Sequence, residues 1–248
     1  MKALIFDVDG VIAETEEAHR EAFNLAFAEA GLEIEWNQSL YRRLLWVTGG
    51  KERIAHYLYH CPECPKLLEA SIAQLHQRKT EIYNQLVAQG RVPFRPGVLR
   101  LWQEAREAGL RLGIATTTSL PNVLALLAQA GPGAEGWFEV IVAGDMVAAK
   151  KPAPDVYQQA LRRLGLSPQE AIAFEDSHNG LVAAQRAGLP VLITPSFYTD
   201  DQRFEGALAV VEHLGEPDKP AQVLWGPDKG PVVVTPALLQ TWLQVGVG

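Results

Sequence analysis

The chain has 248 residues and a formal net charge of −7. Apolar residues make up 48% and charged residues 21%, which is enough hydrophobic material for a full core and excludes a disordered chain. No apolar run approaches the ~20 residues of a membrane helix, and no basic stripe indicates nucleic-acid binding. An acid at Asp7 comes too early for a signal peptide. We therefore expect a cytoplasmic, monomeric globular protein that binds neither a membrane nor nucleic acid.

A short strand and then a long helical region open the chain. Residues 3–6 are apolar and strand-like, and they end at Asp7. Apolar residues then recur at helical spacing from Phe23, and no convincing strand interrupts the chain before Arg91. The helices predicted in this region begin near residue 15 and continue at 39–45, 51–60 and around 65–88.

Helices and strands alternate after a Pro- and Gly-rich loop at 93–97. The predicted helices are 98–108, 121–129, 155–164 and 181–187, and the predicted strands are 112–115, 138–142, 171–174, 191–194 and 208–211. Such alternation is typical of a doubly wound, mainly parallel α/β sheet of Rossmann-like type. Residues 1–14 and 93–248 are predicted to form this core, and 15–92 an inserted α-helical cap. The sequence assigns no function to the tail after Glu216, in which a helix is predicted at 236–243.

The two cysteines, Cys61 and Cys64, flank Pro62 and Glu63. This spacing occurs in redox pairs and in zinc sites, but no second cysteine pair completes a four-ligand site and no strand leads into the motif. We interpret the pair as two ordinary thiols beside a turn, which agrees with a reducing cytoplasm.

Charged and hydroxyl side chains follow four of the predicted strands. Asp7 and Asp9 follow the first, Thr116-Thr117-Thr118-Ser119 a second, Lys151 comes after a third, and Glu175-Asp176 follow a fourth. Ligands of parallel α/β sheets bind beyond the carboxyl ends of the strands, so these groups are expected to converge. Converging carboxylates repel one another unless a cation neutralises them, and hard oxygen ligands favour Mg²⁺.

This combination suits phosphoryl transfer. A carboxylate can attack phosphorus to form an aspartyl-phosphate, while a second acid protonates the leaving oxygen and then activates water. Alternation along an extended segment places Asp7 and Asp9 on the same side, and Gly10 permits a tight turn behind them. A receiver-like phosphoacceptor domain also uses Asp, Thr and Lys, but it has no cap and no need for Asp9.

The four motifs resemble, in order, those of the haloacid dehalogenase-like (HAD) phosphohydrolases. The resemblance implies that Asp7 is the nucleophile and a Mg²⁺ ligand, and that Asp9 is the general acid/base and binds the metal through its backbone carbonyl. It further implies that Glu175 and Asp176 bind Mg²⁺, with Glu175 in or just behind the coordination shell, and that Thr116 and Lys151 hold the transferring phosphoryl group. The dehalogenases of the superfamily lack the second Asp, so Asp9 argues against dehalogenation.

The cap is expected to select the substrate. Its phrase Thr48-Gly49-Gly50-Lys51-Glu52-Arg53 combines two glycines with two cations, which favours a second phosphate or sugar site over an ordinary helix start. In the first cap helix, Glu16 could accept sugar hydroxyls and His19 could touch Asp9 or the substrate. Tyr41, Arg42 and Lys79 are weaker candidates, and we expect these residues to have solvated or packing roles.

The phrases around Glu14–Glu17, Gly50–Ile54 and Thr116–Ser119 resemble those of the CbbY-type phosphatases, within the subgroup that also holds β-phosphoglucomutase. That resemblance implies a sugar-bisphosphate substrate of the Calvin cycle, xylulose-1,5-bisphosphate, gripped by Gly50, Lys51 and Arg53 in the cap and by Thr116–Ser119 and Lys151 in the core. A β-phosphoglucomutase-like mutase and a phosphoglycolate-type phosphatase are the alternatives, because the core motifs do not separate them.

Overall fold

A computed structural model describes residues 1–245. Its strands are β1 (Ala3–Phe6), β2 (Arg111–Ala115), β3 (Val140–Val142), β4 (Ala171–Glu175), β5 (Val191–Ile193), β6 (Ala209–Val211), β7 (Ala221–Trp225) and β8 (Pro231–Val232). They form one mainly parallel sheet in the order β3-β2-β1-β4-β5-β6-β7-β8. Parallel pairing extends from β3 to β6, whereas β7 pairs antiparallel with both β6 and β8. The predicted α/β class and parallel sheet are confirmed.

The helices divide into a group of four before β2 and a group that covers the sheet. The first group is α1 (Glu16–Glu29), α2 (Gln38–Leu44), α3 (Gly50–His60) and α4 (Glu69–Ala88). The second is α5 (Val98–Glu107), α6 (Leu120–Leu127), α7 (Asp155–Leu164), α8 (His178–Arg186) and α9 (Pro236–Val245). The first four lie inside the range 15–92 predicted for the cap. Within residues 1–245, no helix is both long and apolar enough to cross a membrane.

The sheet is buried on both faces, which fixes the position of its central strand. In β1, Leu4 and Phe6 point into one apolar cluster, and Ala3 and Ile5 point into the other. Phe6 stacks on Phe174 of β4 with ring centroids 4.3 Å apart. Because β1 is paired on both edges and packed on both faces, the residues that follow it begin from a rigid base.

The two chain segments that lead into and out of the cap are joined to each other. Ala13 forms an antiparallel bridge with Phe94, and the Arg95 amide donates to the Ile12 carbonyl at 2.9 Å. The buried Arg95 guanidinium also forms an ion pair with Glu14 at 3.2 Å. The helical segment predicted to form the cap thus begins and ends at two segments that are paired with each other.

The C-terminal region differs from its prediction. β7 has no counterpart among the predicted strands, because Gln222 breaks its apolar run and its exposed Leu224 and Trp225 do not alternate with polar residues. The strand lies next to the edge of the sheet and is partly exposed to water, so its sequence lacks the continuous apolar run of a strand that is buried on both faces. The predicted helix 236–243 is confirmed as α9, whose Trp242 is buried and donates to Asp228 at 2.8 Å.

The interpretation of the cysteines as separate thiols is wrong in this structure. Cys61 and Cys64 form a disulfide across the turn that ends α3. The Cys64 amide donates to the Cys61 carbonyl, and this turn brings the two Cα atoms within 5.3 Å, a normal separation for a disulfide. The cysteines therefore no longer support an argument for a reducing compartment.

Candidate active site

A buried lysine joins the predicted nucleophile to a predicted metal ligand at the carboxyl end of the sheet. Lys151 Nζ lies 3.0 Å from Asp7 Oδ1 and 2.6 Å from Glu175 Oε1. Asp7 directly follows β1 and Glu175 ends β4, the neighbouring parallel strand. Although burial lowers the pKa of Lys151, the two carboxylates raise it above its ordinary value. The lysine is therefore a permanent cation beside Asp7.

Three carboxylates lie close enough together to share one metal ion. Oxygens of Asp7, Glu175 and Asp176 all fall within 4.8 Å of one another, and all three residues are buried. Burial and the charge of Asp7 raise the pKa of Glu175 to about 7, against the opposing effect of Lys151. Burial and the neighbouring carboxylates raise the pKa of Asp176 as well. An all-oxygen, mutually repelling donor set of this kind fits Mg²⁺.

The backbone turn after β1 lets Asp176 approach. Gly10 has φ +72°, and a Cβ built on it would lie 2.2 Å from Asp176 Oδ2. On its other side, Asp176 Oδ2 accepts hydrogen bonds from Ser196 Oγ at 2.7 Å and from Thr199 Oγ1 at 3.1 Å. The glycine and the two hydroxyls together hold this carboxylate against the metal site.

The Asp9 side chain turns away from the carboxylate cluster toward the cap. Its Oδ1 accepts hydrogen bonds from Thr15 Oγ1 at 2.5 Å and from His19 Nε2 at 3.0 Å. His19 is buried by stacking on Tyr83, with ring centroids 3.9 Å apart. Burial and the charge of Lys79 lower the pKa of His19 to about 4, so the imidazole is neutral at pH 7. The Asp9 side chain thus lies outside the carboxylate cluster, and its hydrogen-bond donors are Thr15 and His19.

The loop after β2 contributes hydroxyl groups to the cleft between core and cap. Thr117, Thr118 and Ser119 line this cleft, whereas Thr116 is fully buried beneath them and its Oγ1 accepts from the Thr118 amide at 3.2 Å. Ser119 begins α6 without capping it through its side chain. Its Oγ, like Asn122 Oδ1, is buried and has no hydrogen-bond partner within residues 1–245, although both residues line the cleft. A bound polar ligand would satisfy these atoms.

Only some of the predicted cap residues lie at the cleft surface. Glu16, His19, Gly50 and Arg53 line it, and Lys51 does not. Lys51 is half exposed, and its Nζ lies 3.6 Å from Asp145 of the core.

Arg53 and Glu16 are joined through a tyrosine. Tyr41 donates to Glu16 Oε2 at 2.7 Å and accepts from Arg53 Nη1 at 3.1 Å, and Arg53 also donates to the Leu44 and Val47 carbonyls. Burial raises the pKa of Glu16 to about 7 despite the charge of Arg53. Much of the hydrogen-bonding capacity of Arg53 is therefore used within the cap.

Several residues that complete the site were not singled out from the sequence. Tyr157 donates to Glu175 Oε1 at 2.5 Å, and Ser196 and Thr199 hold Asp176. Lys79 was rated a weak candidate, yet it is buried with its Nζ 2.7 Å from His19 Nδ1. Ser196 and Thr199 follow β5, so the strand-end argument could have found them. Tyr157 and Lys79 lie on helices where an apolar-face pattern conceals them.

The fold and this arrangement place the chain in a known class of enzyme. Residues 1–188 match the haloacid dehalogenase-like hydrolases, and the chain belongs to that family. The resemblance inferred from the four strand-end motifs is confirmed. The protein is an enzyme, a phosphatase of the HAD type.

The matches to individual proteins are more informative than the match to the family. The chain is 51% identical to Protein CbbY of Cereibacter sphaeroides over 217 residues, which is 87% of this chain and 94% of that protein. It is similar to a crystal structure of a CbbY mutant from Rhodobacter sphaeroides in complex with xylulose-(1,5)bisphosphate. That match has 50% identity and a TM-score of 0.82, and it covers 86% of this chain and 94% of that one. A phosphorylated carbohydrates phosphatase of Thermotoga maritima is 30% identical over 76% of this chain and 82% of that protein.

Proposed function

We propose that the protein is a Mg²⁺-dependent sugar-phosphate phosphatase that converts xylulose-1,5-bisphosphate to xylulose-5-phosphate and inorganic phosphate. The observation that carries this proposal is the buried Asp7–Lys151 pair, set beside a carboxylate cluster and opposite Asp9 in a cleft that the cap covers. A nucleophile, a cation and a separate acid/base then surround one phosphoryl group.

In the first half-reaction an Asp7 carboxylate oxygen attacks phosphorus, and the bond from phosphorus to the sugar oxygen breaks. Asp9 gives a proton to that leaving oxygen. In the second half-reaction Asp9 takes a proton from water, whose oxygen attacks phosphorus and releases phosphate from Asp7. Lys151 and the hydroxyl loop at 116–119 neutralise and orient the phosphoryl oxygens during both steps.

Asp7, Glu175 and Asp176, with the Asp9 backbone carbonyl, would hold Mg²⁺. When bound, the ion supplies positive charge that offsets repulsion between the Asp7 carboxylate and an anionic substrate. The residues fit this role because their three carboxylates converge in a buried place, where Lys151 forms ion pairs with Asp7 and Glu175.

To act as a general acid, Asp9 must be protonated, but its surroundings in this structure favour the ionised carboxylate. Burial raises the pKa of Asp9, but the hydrogen bonds from His19 and Thr15 and the charge of Lys79 help to bring it below its ordinary value. A phosphate dianion beside Asp9 opposes that effect, because a nearby negative charge favours the protonated acid. Asp9 is thus expected to gain its proton when substrate binds.

The sugar-bisphosphate substrate is supported by the similarity to a CbbY protein whose crystal structure contains that molecule. Features of this chain agree with a polyhydroxylated anion. The cleft offers the Ser119 and Asn122 oxygens, which have no hydrogen-bond partner among residues 1–245, and the Glu16 carboxylate for hydroxyl groups.

The test is kcat/KM with Mg²⁺ for xylulose-1,5-bisphosphate, ribulose-1,5-bisphosphate and β-glucose-1-phosphate. We expect strong preference for the xylulose compound with stoichiometric phosphate release. Isomerisation of the hexose phosphate without phosphate release would replace the proposal with a mutase. A lack of phosphate release from every ester, including p-nitrophenyl phosphate, would refute hydrolysis itself.

A further inference from the structure

The first turn of α3 contacts the core loop that carries Lys151. Thr48 Oγ1 donates a hydrogen bond to the Lys151 carbonyl oxygen. Four residues further on, a Glu52 carboxylate oxygen lies 3.2 Å from Lys150 Nζ. Two consecutive residues of the core loop are therefore held by one turn of the cap. We call these four residues, Thr48, Glu52, Lys150 and Lys151, the α3 clamp.

The backbone at Gly49 is shaped by this contact. Gly49 has φ +92°, a conformation that side chains other than glycine rarely adopt. A Cβ there would lie 2.2 Å from Glu52 Oε2 and 2.8 Å from Lys150 Cδ. The ion pair thus lies close to the Gly49 Cα, and a side chain at this position would require Glu52 and Lys150 to shift.

The clamp acts on a residue at the centre of the site. The Lys151 side chain is only 3% exposed, and its ammonium spans Asp7 and Glu175. Its position relative to Asp7 depends on the backbone from which it projects, and Thr48 holds the carbonyl of that same residue. Misplacement of a catalytic group by about 1 Å costs on the order of a hundredfold in rate.

We propose that Thr48 and Glu52 are positioning residues that set Lys151 against Asp7 when the cap lies on the core. Cap closure then does more than cover the substrate, since it completes the charge arrangement around the nucleophile. This inference rests on the proposed phosphatase function. It also gives the glycine-rich cap phrase a role besides gripping a distal phosphate, because Glu52 is turned to the core loop.

The two contacts are not equal. Glu52 is 45% exposed, and exposed ion pairs contribute little because water and salt screen them. The Thr48 contact is partly buried and acts on the Lys151 peptide itself. We therefore expect the hydroxyl of Thr48 to carry most of the effect, and the ion pair to add to it at low ionic strength.

The experiment compares Thr48→Val, which keeps the shape and removes the hydroxyl, with Thr48→Ser, which keeps the hydroxyl. On the sugar bisphosphate, Thr48→Val is expected to lower kcat roughly tenfold, the worth of one lost hydrogen bond of about 1.4 kcal/mol, with KM within about twofold. Thr48→Ser is expected to retain wild-type kcat within about twofold. Equal kcat for Thr48→Val and wild type, or a change confined to KM, would overturn the positioning role.

A charge exchange tests the second contact. Glu52→Lys and Lys150→Glu alone are each expected to lower kcat about threefold, and the double variant is expected to recover most of it. Glu63→Gln, an exposed cap substitution outside the clamp, serves as the control. Additive losses in the double variant would contradict the pair.

Hydrogen exchange of the loop 145–151 in the full-length protein provides a readout that does not depend on turnover. Thr48→Val is expected to speed exchange there at least threefold relative to Thr48→Ser and wild type. Unchanged exchange would refute the clamp even in an active enzyme. A wild type that hydrolyses no phosphate ester, but in which Thr48→Val loosens this loop, would refute the proposed function and leave the contact itself established.

Discussion

Lys79 and His19 form a hydrogen bond that determines which imidazole nitrogen carries the proton. Lys79 Nζ lies 2.7 Å from His19 Nδ1. When Lys79 carries its proton, its ammonium group has donors only, so Nδ1 accepts and the proton of the neutral ring resides on Nε2. That nitrogen faces Asp9 Oδ1 at 3.0 Å and donates to it. A lysine of α4 thereby fixes the donor that holds the general acid/base.

Replacement of His19 tests this chain of contacts. His19→Leu removes the donor to Asp9 and is expected to lower kcat by about 10- to 100-fold, since acid–base catalysis as a whole contributes about 10²- to 10⁴-fold. His19→Gln can still donate an amide N–H and is expected to lose less. The measurement is steady-state kinetics on one sugar phosphate. Equal losses for both variants would indicate that packing on Tyr83, and not the hydrogen bond, is what His19 provides.

The buried Lys79 predicts a pH dependence of stability. Burial lowers its pKa from 10.5 to about 7. Between these values the unfolded chain binds more protons than the folded one, so the free energy of unfolding rises with pH. Relative to Lys79→Met, the wild type is expected to gain up to about 1.4 kcal/mol per pH unit across this window. Urea unfolding at pH 7, 8 and 9 measures it, and parallel curves would contradict the assignment.

Gly10 offers a test of the metal site that separates backbone strain from steric displacement. Gly10→Ala puts a methyl group where the Asp176 carboxylate lies, at a positive φ of 72°. Gly31→Ala is the matched control, because Gly31 has φ 69° and nothing within 4 Å of the added atom. Both are expected to lose about 1–2 kcal/mol of stability to strain. Only Gly10→Ala is expected to lose phosphatase activity, by at least about 100-fold if Asp176 leaves its position.

Magnesium is expected to stabilise the folded protein. Neutralising Asp7, Glu175 and Asp176 removes a repulsion that exists only in the folded state, so ion at about 100 times its Kd adds about 2.7 kcal/mol. The effect on Tm should be larger at pH 8 than at pH 5.5, because the pKa values of Glu175 and Asp176 are raised and protons compete for them at low pH. Chelation with EDTA should reverse it. Asp176→Asn is the comparison variant, and an undiminished Mg²⁺ shift in that protein would remove Asp176 from the ligand set.

The sequence predicted the core of this site better than its cap, for a physical reason. Asp7, Lys151 and Asp176 follow parallel strands, and the sheet geometry brings the ends of such strands together whatever lies between them. Lys51 and Arg53 have no such constraint, and their direction depends on how α3 packs. The structure turns Lys51 to Asp145 and engages Arg53 with Tyr41 and the α2–α3 carbonyls.

Contacts that depend on tertiary packing could not be predicted from the sequence either. Lys79 lies on the apolar face of α4, between Leu75 and Ile82, and the packing of that face on α1 buries it beside His19. The Cys61–Cys64 bond depends on a turn whose closure the spacing alone did not distinguish from an open loop.

The bridge between Ala13 and Phe94 has a bearing on how the enzyme opens. The bridge and the Arg95–Glu14 ion pair couple the two connecting segments, so we expect them to move together as one hinge rather than as two independent linkers. A single hinge would return the helical segment to the core in one orientation, and Thr48 would then meet the Lys151 carbonyl each time the cleft closes.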